Sequence, residues 1–406
     1  MTERVVVLDN GLTVAVDSME TTRSVSVGVW VGVGSRDESE PIAGVSHFLE
    51  HLLFKGTSNR SASDISRSVD RVGGDINAYT ARENTTFYCR MPARNVNDAI
   101  GLLGDVISTP SLRSSDVESE RQVILEELAM DDESPDDVAH RVFAEQLFTD
   151  HSLGRDPGGT RQSVSSITPD DIRRFHAEYY VADRMVVAIA GAVDPDAVIA
   201  HVSSAFSKIP SCGSALSRTT PTNSAGDRSV HDDTEQTHLV IGGLGLSRVD
   251  PRRECFDVVN HALGGGLSSR LFDEIRERRG LVYTVFSGLS AFSDIGAWSV
   301  YAATNPDRAV EVHDLIVGII DDMAKRGPTE EEIATSIGYL VGAFEMSLED
   351  SGARMARLGG MLSSSSELRP VDEQIARWRR VTQSDAADVA ATLLDGSRLT
   401  VSVGRS

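Results

Sequence analysis

The chain has 406 residues, 40% hydrophobic and 25% charged, an ordinary globular composition with length enough for two domains. Its formal net charge of −22 argues against a nucleic-acid partner, which needs a basic surface, and suits basic peptides as ligands. Cys89, Cys212 and Cys255 lack paired spacing, and no stretch reads as a signal peptide or membrane span, so a reducing, cytoplasmic setting without a membrane partner is expected.

Residues 4–8 and 12–17 read as a hairpin turning at Asn10-Gly11. Val25 to Val33 carries valine at every second position, the period of a strand. After Gly34-Ser35-Arg36-Asp37 comes a helical stretch, Gly44-Val45-Ser46-His47-Phe48-Leu49-Glu50-His51-Leu52-Leu53-Phe54-Lys55-Gly56. His47, Glu50 and His51 stand at i, i+3 and i+4 and so share one face, while nearly every other position is apolar. Three polar side chains on one stripe of a buried helix need partners, because unpaired buried polar groups are costly. A divalent ion held by the two imidazoles, with Glu50 beside it to handle a water, meets that need. Such a site also requires a third protein ligand and an open position.

A second helix is expected from a Ser63 N-cap to about Val72, stopping at Gly73-Gly74. Paired strands follow at 76–80 and 85–91, then an amphipathic helix over 95–108. Ser114 or Ser115 should cap the next helix, Asp116 to about Met130. On it Ile124 and Leu128 lie within about 20° of Val117 and mark the buried stripe. Glu120 and Glu127, seven apart, share the flank of that stripe, and Glu126 falls roughly opposite. Glu127 is therefore placed to face inwards; the competing reading is a solvated helix edge or an ion pair with Arg121. Helices at 136–148, 169–180 and 195–206 and a strand at 185–190 complete this half. Residues 210–228, rich in Ser, Thr, Pro, Gly and Ala, read as a linker between domains 1–209 and 229–406.

The second half repeats the first. A shift of 214 residues carries Thr168 onto Thr382, Arg184 onto Arg398 and Arg94 onto Arg308. The predicted class is thus α+β: two tandem homologous αβ domains, each a mainly antiparallel sheet with helices packed on it. The same shift puts His47 on His261 but Glu50 and His51 on Gly264 and Gly265, and the counterpart of Glu127 falls among Leu340, Val341, Gly342 and Ala343. Only the first copy keeps a metal-binding set, and His261 reads as a core or loop histidine.

These stretches, together with Val72-Gly73-Gly74-x-x-Asn77-Ala78, Glu120-Arg121-x-Val123-Ile124-Leu125-Glu126-Glu127, Leu263-Gly264-Gly265-Gly266-x-Ser268-Ser269-Arg270-Leu271-Phe272 and Arg276-x-x-Arg279-Gly280-Leu281-x-Tyr283, carry a family likeness. They resemble the pitrilysin-type, inverted-zincin metallopeptidases, in particular bacterial relatives of the mitochondrial processing peptidase β-subunit, over nearly the whole chain. The resemblance implies Zn2+ bound by His47, His51 and Glu127, with Glu50 as general base and Glu120 supporting a ligand. It also implies that Arg276 holds substrate backbone or carboxylate and that Tyr283 bonds the substrate carbonyl or developing oxyanion. Asn77 and Ala78 would lie on an edge strand that pairs with the substrate peptide. Long members of the family carry four such domains, so a homodimer closing around a chamber for unfolded peptides or presequence-like segments is expected. The competing readings are a non-catalytic peptide-binding or assembly subunit, and a subunit that needs a separate, degenerate partner.

Overall fold

Asn10-Gly11 turns the chain between β1 (Glu3–Val7) and β2 (Thr13–Ser18), which pair antiparallel as the hairpin pattern predicts. The computed structural model describes residues 3–222, 224–365 and 368–405. The chain continues through β3 (Ser24–Val31), α1 (Val45–Leu53), α2 (Ala62–Asp70), β4 (Asp75–Thr80) and β5 (Thr85–Pro92). Then come α3 (Val96–Ser108), α4 (Ser114–Asp132), α5 (Pro135–Leu147), α6 (Arg161–Ser166), α7 (Pro169–Tyr179), β6 (Met185–Gly191) and α8 (Pro195–Ala205). The second half runs β7 (Arg228–His231), β8 (Thr237–Gly245), α9 (Arg253–Asn260), β9 (Val282–Ala291) and β10 (Gly296–Thr304). It ends with α10 (Ala309–Arg326), α11 (Glu330–Ser347), α12 (Ser351–Ser365), α13 (Val371–Arg379), α14 (Gln383–Leu394) and β11 (Arg398–Gly404).

Two cap assignments differ from the sequence reading. Ser61, not Ser63, caps α2: its Oγ accepts from the Asp64 N–H at 3.2 Å while the Asp64 carboxylate accepts from the Ser61 N–H at 3.0 Å. Ser114 is already the first residue of α4, and the Asp116 and Val117 N–H groups donate to the Arg113 carbonyl.

The fold is α+β, and the described residues form two compact units. One unit takes Met1–Ala129, Arg155–Thr219 and Met346–Leu368; the other takes Met130–Gly154, Thr220–Glu345 and Arg369–Ser406. The first unit's sheet has the order β1-β2-β6-β3-β5-β4, and the second unit's has β7-β11-β8-β10-β9. In both, one pair is parallel, β2 with β6 and β7 with β11, and the remaining pairs are antiparallel. The duplication read from the 214-residue shift is therefore a duplication of topology.

Each sheet is covered on both faces. In the first unit the valines of β3 pack into a core with α1, α3, α4, α7 and α8. The other face, Ala15, Trp30, Val186 and Ala188, is closed by Met355, Leu358 and Leu362 of α12. Contact there is tight because Gly359 lies against the indole: a Cβ at that position would sit 2.1 Å from the Trp30 ring. In the second unit α5 plays the part of α12, setting Val138, Val142 and Phe143 against Val240, Leu399 and Val401. Each sheet is thus completed by a helix from the other half of the sequence. Strand β4 is the outermost strand of the first unit, and α1 packs against it. That packing positions the site.

Candidate metal centre

Helix α1 begins where a buried carboxylate meets its amino end. The Glu38 carboxylate accepts from the Gly44 and Ser46 N–H groups, each at 2.7 Å, satisfying donors that the first helical turn leaves free. Burial nevertheless pushes Glu38 up to about 7, against the pull of those two N–H groups and of Arg155. Gly44 takes φ +92° at the cap, and a Cβ there would stand 2.5 Å from the Gly158 carbonyl oxygen. Val45, Phe48, Leu49, Leu52 and Leu53 are wholly buried or nearly so, which fixes the helix in rotation and leaves His47, Glu50 and His51 on the half-exposed stripe.

Helix α4 supplies the acids. Glu127 is half-buried and Glu126 exposed, as the periodicity predicts. Glu127 Oε2 lies 3.7 Å from His47 Nε2 and 3.6 Å from His51 Nε2. One donor atom from each of His47, His51 and Glu127 falls within 4.8 Å of the others, the one such group among the described residues. Both histidines turn Nε2 towards Glu127. On its far side His51 Nδ1 lies 3.3 Å from Oε2 of the buried Glu120, whose Oε1 is 2.6 Å from Lys55 Nζ. A carboxylate on Nδ1 holds the proton there and leaves the Nε2 lone pair free for a metal. Burial, followed by the neighbouring His51, lowers His47 to about 4, so its ring is neutral near pH 7, the state a ligand requires. His47 Nδ1 is buried without a hydrogen-bond partner among the described residues. Two imidazoles and a carboxylate on a half-open stripe fit a divalent ion of zinc's preferences, with room for a fourth ligand.

Glu50 stands beside this group. Thr80 Oγ1, at the end of β4, donates to Glu50 Oε2 at 2.6 Å. Burial raises the Glu50 carboxyl and the Glu127 charge adds to the rise, while the Thr80 bond and His51 oppose it. Asn77 and Ala78 lie on β4, whose outer edge is unpaired among the described residues; Asn77 is exposed, and its Oδ1 accepts from the Ala78 N–H at 2.8 Å. Arg276 and Tyr283 belong to the second unit. The Arg276 guanidinium lies 4.7 Å from the Phe272 ring and 5.2 Å from that of Tyr283, which is 79% exposed. His261 is buried: Nδ1 lies 3.0 Å from Ser336 Oγ, and its ring stacks on Tyr339 at 4.4 Å.

Three contributors were not singled out from sequence. In the sequence Lys55 is one more residue of the motif, Thr80 one strand end, and Glu38 part of no pattern. Their roles arise from contacts across elements, which local periodicity does not encode.

Residues 13–161 match the insulinase family (peptidase family M16), and residues 166–339 match the peptidase M16 inactive domain. An uncharacterized zinc protease of Streptomyces coelicolor is 40% identical over 411 residues, covering 99% of this chain and 89% of its own. One of Mycobacterium tuberculosis is 42% identical over 398 residues, covering 95% and 90%. A solved protease from Helicobacter pylori superposes with a TM-score of 0.92 at 25% identity, covering 99% of both chains. A Pseudomonas fluorescens structure described as a peptidase M16 inactive domain gives 0.93 at 20% identity, covering 100% of this chain and 98% of its own, a likeness of fold. The chain belongs to the pitrilysin-type M16 metallopeptidases. Among the described residues no helix is long and apolar enough to cross a membrane.

Proposed function

We propose that this chain is a zinc-dependent endopeptidase acting on peptides or unfolded, presequence-like segments within a chamber formed by a homodimer. The observation that carries the reading is the convergence of His47, His51 and Glu127 within 4.8 Å, beside a Glu50 held by Thr80. His47, His51 and Glu127 would hold the ion, with Glu120 orienting His51. The chemistry a bound zinc supplies is acidification of a water and polarisation of the peptide carbonyl. Glu50, its proton affinity raised by burial, takes the water proton and delivers it to the leaving amine. The unpaired edge of β4, with Asn77 and Ala78, receives the substrate backbone as an added strand. Arg276 and the exposed Tyr283 serve the centre of a second copy, Arg276 on substrate backbone or carboxylate and Tyr283 on the oxyanion. Three free cysteines suit a reducing, cytoplasmic setting.

A cleavage screen with a diverse peptide library tests the reading. Hydrolysis should stop on chelation and in Glu50→Gln. Activity that survives both overturns it, and purified protein that binds no zinc favours a non-catalytic peptide-binding or assembly subunit instead. Mixing Glu50→Gln with Tyr283→Phe tests the dimer: two impaired proteins should regain activity together, because each supplies what the other lacks.

A further inference from the structure

Strand β4 leads away from Glu50. Its last residue, Thr80, bonds that carboxylate, whereas its first, Asp75, lies five positions back, about 17 Å along an extended chain. At the Asp75 end Arg23, Arg90 and Arg94 gather with Gly73 and Gly74 around an open recess of about 480 Å³. Three arginines around one recess run against the sign of a chain whose net charge is −22. Two carboxylates are near them: Asp75 lines the recess, and Asp350 pairs with Arg90 at 2.9 Å. Arg23 and Arg94 are exposed and have no carboxylate partner among the described residues. Positive charge is therefore left over at one end of the strand whose other end touches the general base.

We propose that this recess is an anion subsite for a carboxylate of the peptide that extends along β4, either an Asp or Glu side chain or a free C-terminus. The proposal rests on the peptidase reading above. Strand β5 pairs antiparallel on the inner edge of β4, and a peptide added antiparallel on the outer edge runs from Thr80 towards Asp75. Its residues after the scissile bond then pass Tyr79, Ala78, Asn77 and Ile76 in turn. At about 3.3 Å per residue, a carboxylate about four to six residues beyond the scissile bond comes level with the recess, which opens at Gly73, Gly74 and Asp75 and extends inward past Arg90 of β5 to Arg23 ahead of β3. Guanidinium groups suit this ligand because their paired N–H donors match the two oxygens of a carboxylate.

The test uses one cleavable peptide with a single Asp moved from position to position on either side of the scissile bond. A second set ends at the same positions with a free or an amidated C-terminus. We expect kcat/KM to rise about three- to tenfold, relative to Ala, for Asp near the fifth position after the bond, and the gain to shrink in high salt. The amidated set separates a terminal carboxylate from a side chain. In Arg23→Ala/Arg94→Ala the ratio of acidic to neutral peptide should fall to near one, and in Arg23→Glu/Arg94→Glu a Lys at that position should replace Asp as the better substrate. A gain that ignores position, appears only before the bond, or persists in the arginine variants overturns the proposal. Anisotropy of the same peptides on Glu50→Gln reads the subsite without turnover. Acid-dependent binding with no cleavage by the wild type sinks the peptidase reading alone. Cleavage of the neutral peptide without acid dependence sinks the subsite alone, and the absence of both effects sinks both.

Discussion

Glu120→Gln asks whether the inner carboxylate of α4 acts on the metal centre through His51. The Glu120 side chain is 5% exposed, with Oε2 3.3 Å from His51 Nδ1 and Oε1 2.6 Å from Lys55 Nζ. Glutamine keeps the shape and one acceptor oxygen but removes the charge. A hydrogen bond to a charged group contributes about 1.5–3 kcal/mol, against about 0.5–1.5 for a neutral one, so the His51 contact loses about 1–1.5 kcal/mol, near tenfold. The lost charge also lowers the basicity of Nε2, and removing such an outer partner typically costs about 10- to 100-fold in metal affinity. The Lys55 side adds little, because that ammonium is 40% exposed and water can replace its partner. Zinc affinity, read by competition with a chromophoric chelator, should therefore fall about 10- to 100-fold. Peptide cleavage at saturating zinc should stay within a few-fold of wild type. An affinity changed by less than twofold would refute the reasoning and leave Glu120 as an ion-pair partner of Lys55 only.

Thr80→Val removes the hydroxyl that holds Glu50; kcat should fall about 5- to 30-fold, the equivalent of about 1–2 kcal/mol, with zinc content unchanged and Thr80→Ser retaining most activity. In metal-stripped protein, His47 is held at about 4, below its ordinary 6.5, so the folded state binds fewer protons than the unfolded between those values. Its contribution, at most about 3 kcal/mol, is then present above pH 6.5 and lost as pH falls towards 4; urea titrations in chelator should show that slope flattened in His47→Gln. Gly359→Ala forces a methyl against the Trp30 ring and should destabilise the protein by about 1–3 kcal/mol. Zinc affinity should not change in that variant, because α12 covers the face of the sheet opposite α1.

What was legible in the sequence is what a single element encodes. The choice of Glu127 over Glu126 needed only the period of α4. The correct cap of α2 was also there to be read: Ser61 has an acid three residues later and Ser63 does not, which is the capping-box spacing. The carboxylate under α1 was not legible, because Glu38 reaches Gly44 and Ser46 across the short 3₁₀ turn Glu40–Ile42 with no fixed spacing. Nor was the Thr80 bond, which exists only because α1 packs against β4. The exchange of α5 and α12 leaves no local mark either. Ser26, Gly28 and Trp30 alternate with valines as if facing solvent, and only the arrival of Met355 and Leu358 from the other half buries them.

The second unit differs from the first by more than three side chains at the counterpart of the metal site. At the counterpart of α1 the stretch His261–Gly265 is a π-helical turn, so positions three and four apart do not share a face as they do in α1. A Cβ at Gly264, the counterpart of Glu50, would stand 2.7 Å from the Ser287 backbone nitrogen and 2.8 Å from Leu271 Cδ1. A glutamate there must push β9 aside. His261 is already committed to Ser336 and Tyr339, and the counterpart of Glu127 is the buried Val341 of α11. Writing the three letters back as Gly264→Glu/Gly265→His/Val341→Glu should therefore lower the melting temperature and leave zinc stoichiometry at that of the wild type. A second equivalent of zinc bound by the triple variant would mean that the turn can rewind into an α-helix, and that side chains alone separate the two copies.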